Sequence, residues 1–397
     1  MNVVVAGKNN IAVNFVEWLI EKYPEIKIFG VINNTDNGCD TFQRSYKKYC
    51  HSNGIPTLSL EDAYLVEGIF ISLEFDKIID TRKFKKSNCF NIHFSNLPKY
   101  KGMYTSAWPI INAEEKTGVT FHEIDNGIDT GDIISQEEFL LDENETAGSL
   151  YLKYIHYGTK LVKDTFPTLL EGEYERKKQS HTNSSYYSKK SIDYKNIKIE
   201  LNRTAFQIKK QINAFTFRYY QLPKILGYDI FGAKVLDDKS LLKAGSVIEE
   251  SNNYIILSSI DYNIMLYKDN FSNLLELSKD ATFEDLILEA PFHNILFEKN
   301  QKGWSPIIVA AYHGNIELIK KLVEIGADVN DTNYNGTTVA MYLKDHIIKS
   351  KNYHLMEELV NLGADLSIKD YNGLDVFDYL ELSKIDEAEQ KIFKELK

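Results

Sequence analysis

Between Val3 and about Ser95 short apolar runs alternate with amphipathic stretches, and no other feature of the chain restricts its fold as strongly. Val3-Val4-Val5, Ile26 to Val31, Ile69-Phe70-Ile71 and Phe90-Asn91-Ile92 have the length of strands, while Ile11 to Glu21 and Phe42 to His51 have an amphipathic pattern. Strands that take turns with helices are joined by crossovers, so the pattern predicts a parallel sheet covered by helices. A hairpin is expected from about Val119 to Phe139. A long helix is expected from about Thr146 to Leu170, carrying apolar Leu150, Ile155, Leu161, Val162, Phe166 and Leu169.

The turn after the first strand, Gly7-Lys8-Asn9-Asn10, has neither G-x-G-x-x-G nor G-x-x-x-x-G-K-[ST]. The sheet is therefore Rossmann-like, with a ligand other than NAD and without a P-loop. Lys177 to Ser191 is polar and repetitive in Ser, Lys and Tyr, and reads as a connector. Beyond it, a helix from Asn202 to Phe215 leads to strand-like runs at Ile225 to Phe231, Ser246 to Glu250, Tyr254 to Ser258 and Ile264 to Tyr267, a small β-rich subdomain. Gly303-Trp304-Ser305-Pro306 opens a segment closed by Gly326-Ala327-Asp328 that resembles an ankyrin repeat, and Gly336-Thr337-Thr338 opens a second copy 33 residues later. The closing Gly363-Ala364-Asp365 follows the first by 37 residues, so the second copy holds about four inserted residues. Asp370-Tyr371-Asn372-Gly373 begins a third, degenerate unit ending near Lys397, and Ile308 replaces the usual His of the T-P-L-H signature. The expected division is an α/β domain over 1–185, a β-rich subdomain over 186–295 and an all-α ankyrin module over 296–397. So few repeats are marginal alone and are expected to pack on the body.

Charge and cysteine usage narrow the function classes. Asp and Glu number 57 against 46 Lys and Arg, a net charge of −11, and residues 301–397 carry 11 basic against 16 acidic side chains. Neither part has the clustered cations that a phosphate backbone requires, so no nucleic-acid partner is expected. Cys39, Cys50 and Cys89 are an odd, sparse set without C-x-x-C spacing, which predicts a reducing cytoplasmic location and no metal. Met1 to Gly7 enters a strand at once, without a basic or long apolar leader, so neither export nor a membrane partner is expected.

Two segments concentrate the chemistry. In Asn91-Ile92-His93-Phe94-Ser95-Asn96-Leu97-Pro98-Lys99-Tyr100-Lys101-Gly102, Asn91 and His93 are two residues apart at a strand end, so their side chains share one face and can act on one substrate atom. An isolated Asn-x-His pair often serves structure alone, but the carboxyl edge of an open α/β sheet is where ligands bind. The second segment, Asp125-Asn126-Gly127-Ile128-Asp129-Thr130-Gly131-Asp132, would also suit a plain hairpin loop. Taken together, H-x-S-x-L-P-x-Y-x-G and I-D-T-G-D resemble the folate-dependent formyltransferase family over about residues 1–180. That family includes enzymes acting on methionyl-tRNA, on glycinamide ribonucleotide and on nucleotide-linked amino sugars.

The resemblance implies that Asn91, His93 and Asp129 are catalytic and that N10-formyltetrahydrofolate is the cosubstrate. An amine attacking a formyl carbon leaves negative charge on the oxygen, which needs fixed donors. Asn91 supplies an N–H; His93 either accepts the amine proton or, protonated, donates to the oxyanion; Asp129 would orient the imidazole. It also implies a pterin between Leu73, Ile78 and Ile79 and the loop bearing Glu123, Asp125 and Gly127, although the three apolar residues suit a core equally well. A nucleotide sugar is expected across the carboxyl edge, with Asn9 and Lys77 near its diphosphate and Phe217, Arg218 and Tyr219 near its nucleotide; an aromatic core accounts for the last three as well. With the ankyrin module the whole is similar to the nucleotide-sugar N-formyltransferases. That implies a homodimer and, as acceptor, dTDP-3-amino-3,6-dideoxy-D-glucose for O-antigen lipopolysaccharide, with dTDP-4-amino-4,6-dideoxyglucose as the nearest alternative. An ankyrin interaction protein without activity is disfavoured, because all three catalytic positions are filled. Trp304, at the turn of the best repeat, suits local packing, a second nucleotide-sugar site or a partner protein.

Overall fold

The computed structural model describes residues 1–180, 182–290 and 293–383. The chain forms two compact units, one of residues 1–248 with 256–266, the other of 249–255 with 267 onward. The first unit opens with β1 (Asn2–Gly7), α1 (Asn9–Lys22), β2 (Lys27–Ile32), α2 (Tyr46–Ser52), α3 (Leu60–Ala63), β3 (Gly68–Leu73) and β4 (Ser87–His93). These strands pair in parallel, as the alternation predicts. After the short β5 (Lys101–Gly102) and α4 (Trp108–Ile111), the expected hairpin is β6 (Lys116–Glu123) with β7 (Ile133–Leu140), followed by α5 (Ala147–Glu171). The hairpin joins the parallel strands through an antiparallel pairing of β6 with β4, which makes one mixed sheet of order β2-β1-β3-β4-β6-β7.

Two-residue alternation sorts the strands' side chains onto two faces. Val3, Val5, Ile69, Ile71, Leu73, Phe90, Ile92, Val119 and Phe121 join α1 and α5 in a large core, whereas Val4, Ala6, Phe70 and Cys89 belong to a smaller one. Helix α1 buries Ile11, Phe15 and Leu19, and Phe15 meets Phe166 of α5 edge-on at 5.5 Å. Close approach at this junction depends on Gly158, where a Cβ would stand 3.1 Å from Ile11 Cδ1 and 3.2 Å from Ile92 Cγ2. By the same alternation, Asn91 and His93 of β4 lie on the face of the smaller core. The β4–β6 register sets them opposite His122 and Thr120.

The polar connector is anchored: β8 (Tyr186–Tyr187) pairs with β5, and Lys177 bridges to Ile133. Helix α6 (Ala205–Phe215), with Thr204 as its capping residue, precedes β9 (Lys224–Ile225), β10 (Tyr228–Lys239), β11 (Val247–Glu250), β12 (Tyr254–Leu257) and β13 (Tyr262–Lys268), a sheet of order β11-β12-β13-β10-β9.

Next come α7 (Phe271–Leu277) and α8 (Phe283–Glu289), a helical pair within the span read as β-rich. The repeats follow as α9 (Pro306–His313), α10 (Ile316–Glu324), α11 (Val339–Ser350), α12 (His354–Asn361) and α13 (Val376–Leu382). Helix α9 has 8 residues and α11 has 12, so the inserted residues lengthen the first helix of the second repeat by one turn. Ile308 is fully buried in α9, where packing replaces the usual polar turn contact. Neighbouring repeats are joined through Asn330, whose Nδ2 donates to Gly363 O (3.3 Å) while its Oδ1 accepts from Asp365 N (2.8 Å). The rest of the expected third unit, from residue 384, lies outside the described residues. No helix among the described residues is long and apolar enough to cross a membrane.

Candidate active site

His93 ends β4 and is 7% exposed. Its Nε2 lies 2.8 Å from the carbonyl oxygen of Tyr100, which can only accept, so Nε2 carries a hydrogen; Nδ1 faces Asp129 Oδ2 at 3.5 Å. Asp129 stands in the β6–β7 loop at φ 54°, in the left-handed region that non-glycine residues occupy at a cost of about 1 kcal/mol. Two hydrogen bonds hold it there, and a third holds its loop at Gly131. Gly102 N donates to Oδ2 (2.8 Å), and Gln179 Nε2 donates to the carbonyl oxygens of Asp129 (2.9 Å) and Gly131 (2.8 Å). Within the same loop, Asp125 Oδ1 accepts from Gly127 N (2.9 Å) and Thr130 Oγ1 (2.7 Å), while Glu123 pairs with Arg176 at 2.6 Å. The structure thus brings Asn91, His93 and Asp129 together at the carboxyl end of β4.

Sequence reasoning missed a fourth member. His122 is 2% exposed, with Nδ1 2.6 Å from Glu123 O and Nε2 3.1 Å from Asn91 Nδ2. Its Nε2 is also 3.7 Å from Asp129 Oδ1. Burial lowers its pKa to about 4; the Asp129 carboxylate pulls upward and His93 adds to the lowering. Only the pairing of β4 with β6 could have revealed it, and no local pattern encodes that register.

A second cluster occupies the carboxyl ends of β1 and β3. Asn9 (φ 63°) and Glu74 (φ 58°) both adopt left-handed backbone, and Asn9 Nδ2 donates to Glu74 Oε2 (3.0 Å) and to Tyr151 Oη (2.7 Å). Tyr151 in turn donates to the Glu74 carboxylate at 2.8 Å. Burial raises the Glu74 pKa against the pull of Lys8 and of these hydrogen bonds. Beside the cluster, Phe42 stacks flat on Tyr219 with ring centres 4.1 Å apart, and the buried Phe217 lies 5.8 Å from Phe42 and 5.4 Å from Tyr151. Arg218 places its guanidinium over the Phe231 ring at 4.9 Å. Asn9, Phe217 and Tyr219 are therefore linked through Tyr151 and Phe42, two residues that the sequence does not single out as part of a site. Lys77 is exposed after β3. The three apolar candidates separate: Leu73 lies in the large core, Ile79 in the smaller one, and Ile78 is 77% exposed. In the second unit, Trp304 Nε1 donates to Tyr342 Oη (3.0 Å), and Trp304, Tyr312 and Tyr342 line a groove of about 210 Å³ with Leu275, Lys279 and His313.

The donor set suits a carbonyl oxygen that gains charge: an amide N–H from Asn91 and an imidazole held by a carboxylate, at a sheet edge. No group of His, Cys, Asp and Glu among the described residues is arranged to hold a metal ion. Residues 70–165 match the sequence model of the formyl transferase family, and residues 277–370 match that of ankyrin repeats in three copies. A methionyl-tRNA formyltransferase of Clostridioides difficile (strain 630) is 31% identical over 286 residues, which cover 68% of this chain and 91% of that protein. Among solved structures, an N-formyltransferase from Helicobacter canadensis in complex with folinic acid and dTDP-3-aminofucose is 42% identical, with a TM-score of 0.63, covering 67% of this chain and 99% of the other. WlaRD, a sugar 3N-formyl transferase solved with dTDP and 5-N-formyl-THF, has the same identity and TM-score, covering 68% of this chain and 98% of its own.

Proposed function

The chain belongs to the formyl transferase family, and from that premise we propose that it moves a formyl group to the amine of a dTDP-linked amino sugar. The acceptor in this reading is dTDP-3-amino-3,6-dideoxy-D-glucose, and the product serves O-antigen lipopolysaccharide assembly in the cytoplasm, made by a homodimer. The observation that supports a dTDP-linked 3-amino sugar as acceptor is the 42% identity to the Helicobacter canadensis enzyme, solved with dTDP-3-aminofucose, across 99% of that chain. N10-formyltetrahydrofolate supplies the formyl group. Asn91 donates an N–H toward the formyl oxygen, His93 handles the proton that the amine loses on forming the new C–N bond, the bond from the formyl carbon to N10 breaks as N10 takes up a proton and tetrahydrofolate leaves, and Asp129 holds the His93 ring. The polar cluster of Asn9, Glu74 and Tyr151, with the stack of Phe42 on Tyr219, supports a sugar-nucleotide site along the carboxyl ends of β1 and β3.

The 31% identity to a methionyl-tRNA formyltransferase favours a second reading, with tRNA as acceptor. The net charge of −11 weighs against it, because tRNA binding draws on clustered Lys and Arg. Incubation with N10-formyltetrahydrofolate and each candidate acceptor separates the two. Formylation of the dTDP-3-amino sugar ahead of the dTDP-4-amino sugar and of methionyl-tRNA is the expected result, and preferential formylation of methionyl-tRNA would overturn the proposal.

A further inference from the structure

Among the described residues, His122 is the one buried imidazole of this site to which the proposed chemistry gives no task. Its Nδ1 lies 2.6 Å from the carbonyl oxygen of Glu123, which has no hydrogen to offer, so Nδ1 must carry one. At 2% exposure, and with its pKa lowered to about 4, the ring is neutral near pH 7 and its Nε2 is a bare acceptor. That lone pair faces Asn91 Nδ2 at 3.1 Å. A turned carboxamide would set an oxygen lone pair against the nitrogen lone pair at this distance, so the amide is fixed with its NH2 toward the histidine. One N–H is spent on His122 and the other is left over.

We propose that His122 is a positioning residue: through Nε2 it fixes the carboxamide of Asn91 so that an N–H, not the carbonyl oxygen, faces the formyl oxygen as charge develops on it. The proposal rests on the formyl-transfer reading above. A carboxamide free to turn offers its oxygen about as readily as its nitrogen, and the oxygen end repels the developing oxyanion. The direct opposition of Asn91 and His122 in the β4–β6 ladder makes the contact part of the sheet itself. The orientation is therefore set before substrate arrives, which is the condition for electrostatic stabilisation without reorganisation.

His122→Leu removes the acceptor, whereas His122→Gln restores one in its side-chain oxygen. The leucine variant is expected to lose about 10- to 100-fold in kcat with KM for both substrates within about twofold, and the glutamine variant to recover most of the loss. In an Asn91→Ala background, His122→Leu should cost nothing further. Equal losses in the two backgrounds, or a raised KM at unchanged kcat, would overturn the proposal, with thermal midpoints recorded to identify any variant that fails to fold. The tautomer is read without any acceptor from ¹⁵N spectra of histidine-labelled protein, with the His122 signals assigned by their absence in His122→Gln. A protonated Nδ1 and bare Nε2 at pH 7 are expected, and the opposite tautomer sinks the idea. If that tautomer is seen but no acceptor is formylated, the assigned reaction fails while the orientation of Asn91 stands.

Discussion

Asp129 faces His93 at 3.5 Å and His122 at 3.7 Å while it accepts from the Gly102 amide, so its carboxylate is shared among three segments. Asn91→Ala, His93→Asn and Asp129→Ala should each lower kcat by about 10² or more, and their pairwise combinations should fall well short of the product, because the three serve one transition state. Steady-state kinetics on the single and double variants checks this; near-normal turnover in His93→Asn would refute it. His122 also makes a prediction about stability. Its pKa of about 4 in the fold lies below the ordinary 6.5, so above pH 6.5 neither folded nor unfolded chain binds the extra proton and nothing is lost. As pH falls from 6.5 toward 4, the unfolded chain takes up a proton that the native ring refuses, and stability drops by up to about 3 kcal/mol. Urea unfolding at pH 7 and pH 4.5 should show a steeper loss in the wild type than in His122→Gln, and equal losses would contradict the shift.

At the scale of elements, Gly158 is the narrow point between α5, α1 and the sheet. Gly158→Val places methyls where a Cβ alone would already meet Ile11 and Ile92, and should destabilise by about 1–3 kcal/mol or more, visible as a lower melting temperature. Phe217→Ala and Tyr219→Ala disturb the aromatic cluster beside Asn9; if that cluster holds a nucleotide, KM for the sugar nucleotide rises while KM for folate stays put, and equal effects on both mark the cluster as core. Trp304→Ala breaks the bond to Tyr342, and the contacts support a lower melting temperature with unchanged dTDP-sugar stoichiometry; loss of a second binding event in calorimetry would instead reveal a ligand in the groove. The alternation of β1 through β4, the hairpin, α5 and the four-residue insertion were legible because each depends on local periodicity or spacing. His122 was not, since it acts on Asn91 from 31 residues away through a strand register. The same holds for Glu74 and Tyr151, 77 residues apart and joined only once α5 lies on the sheet. Leu73, Ile78 and Ile79 show the limit from the other side: three apolar residues of one segment enter three different environments.

For the molecule as a whole, the excess of 57 acidic over 46 basic residues predicts that added salt changes turnover on a sugar nucleotide only modestly, whereas a tRNA-dependent reaction would fall steeply with ionic strength. Rates at 50 and 200 mM salt on each acceptor separate the cases. The strand order carries a further implication. β4 lies between β3 and β6, inside the sheet, so Asn91 has a register partner on either side, Ser72 of β3 and His122 of β6, while His93, past the end of β3, pairs with Thr120 of β6 alone. The Asn91 amide should exchange with deuterium only in the slowest, globally opening class, unlike those of the exposed segment around Lys77 and Ile78. Asn91 therefore loses its place only when the centre of the sheet opens: as denaturant is raised, the amplitude of activity should track the cooperative melting of the whole first unit, with no inactive yet folded intermediate preceding it.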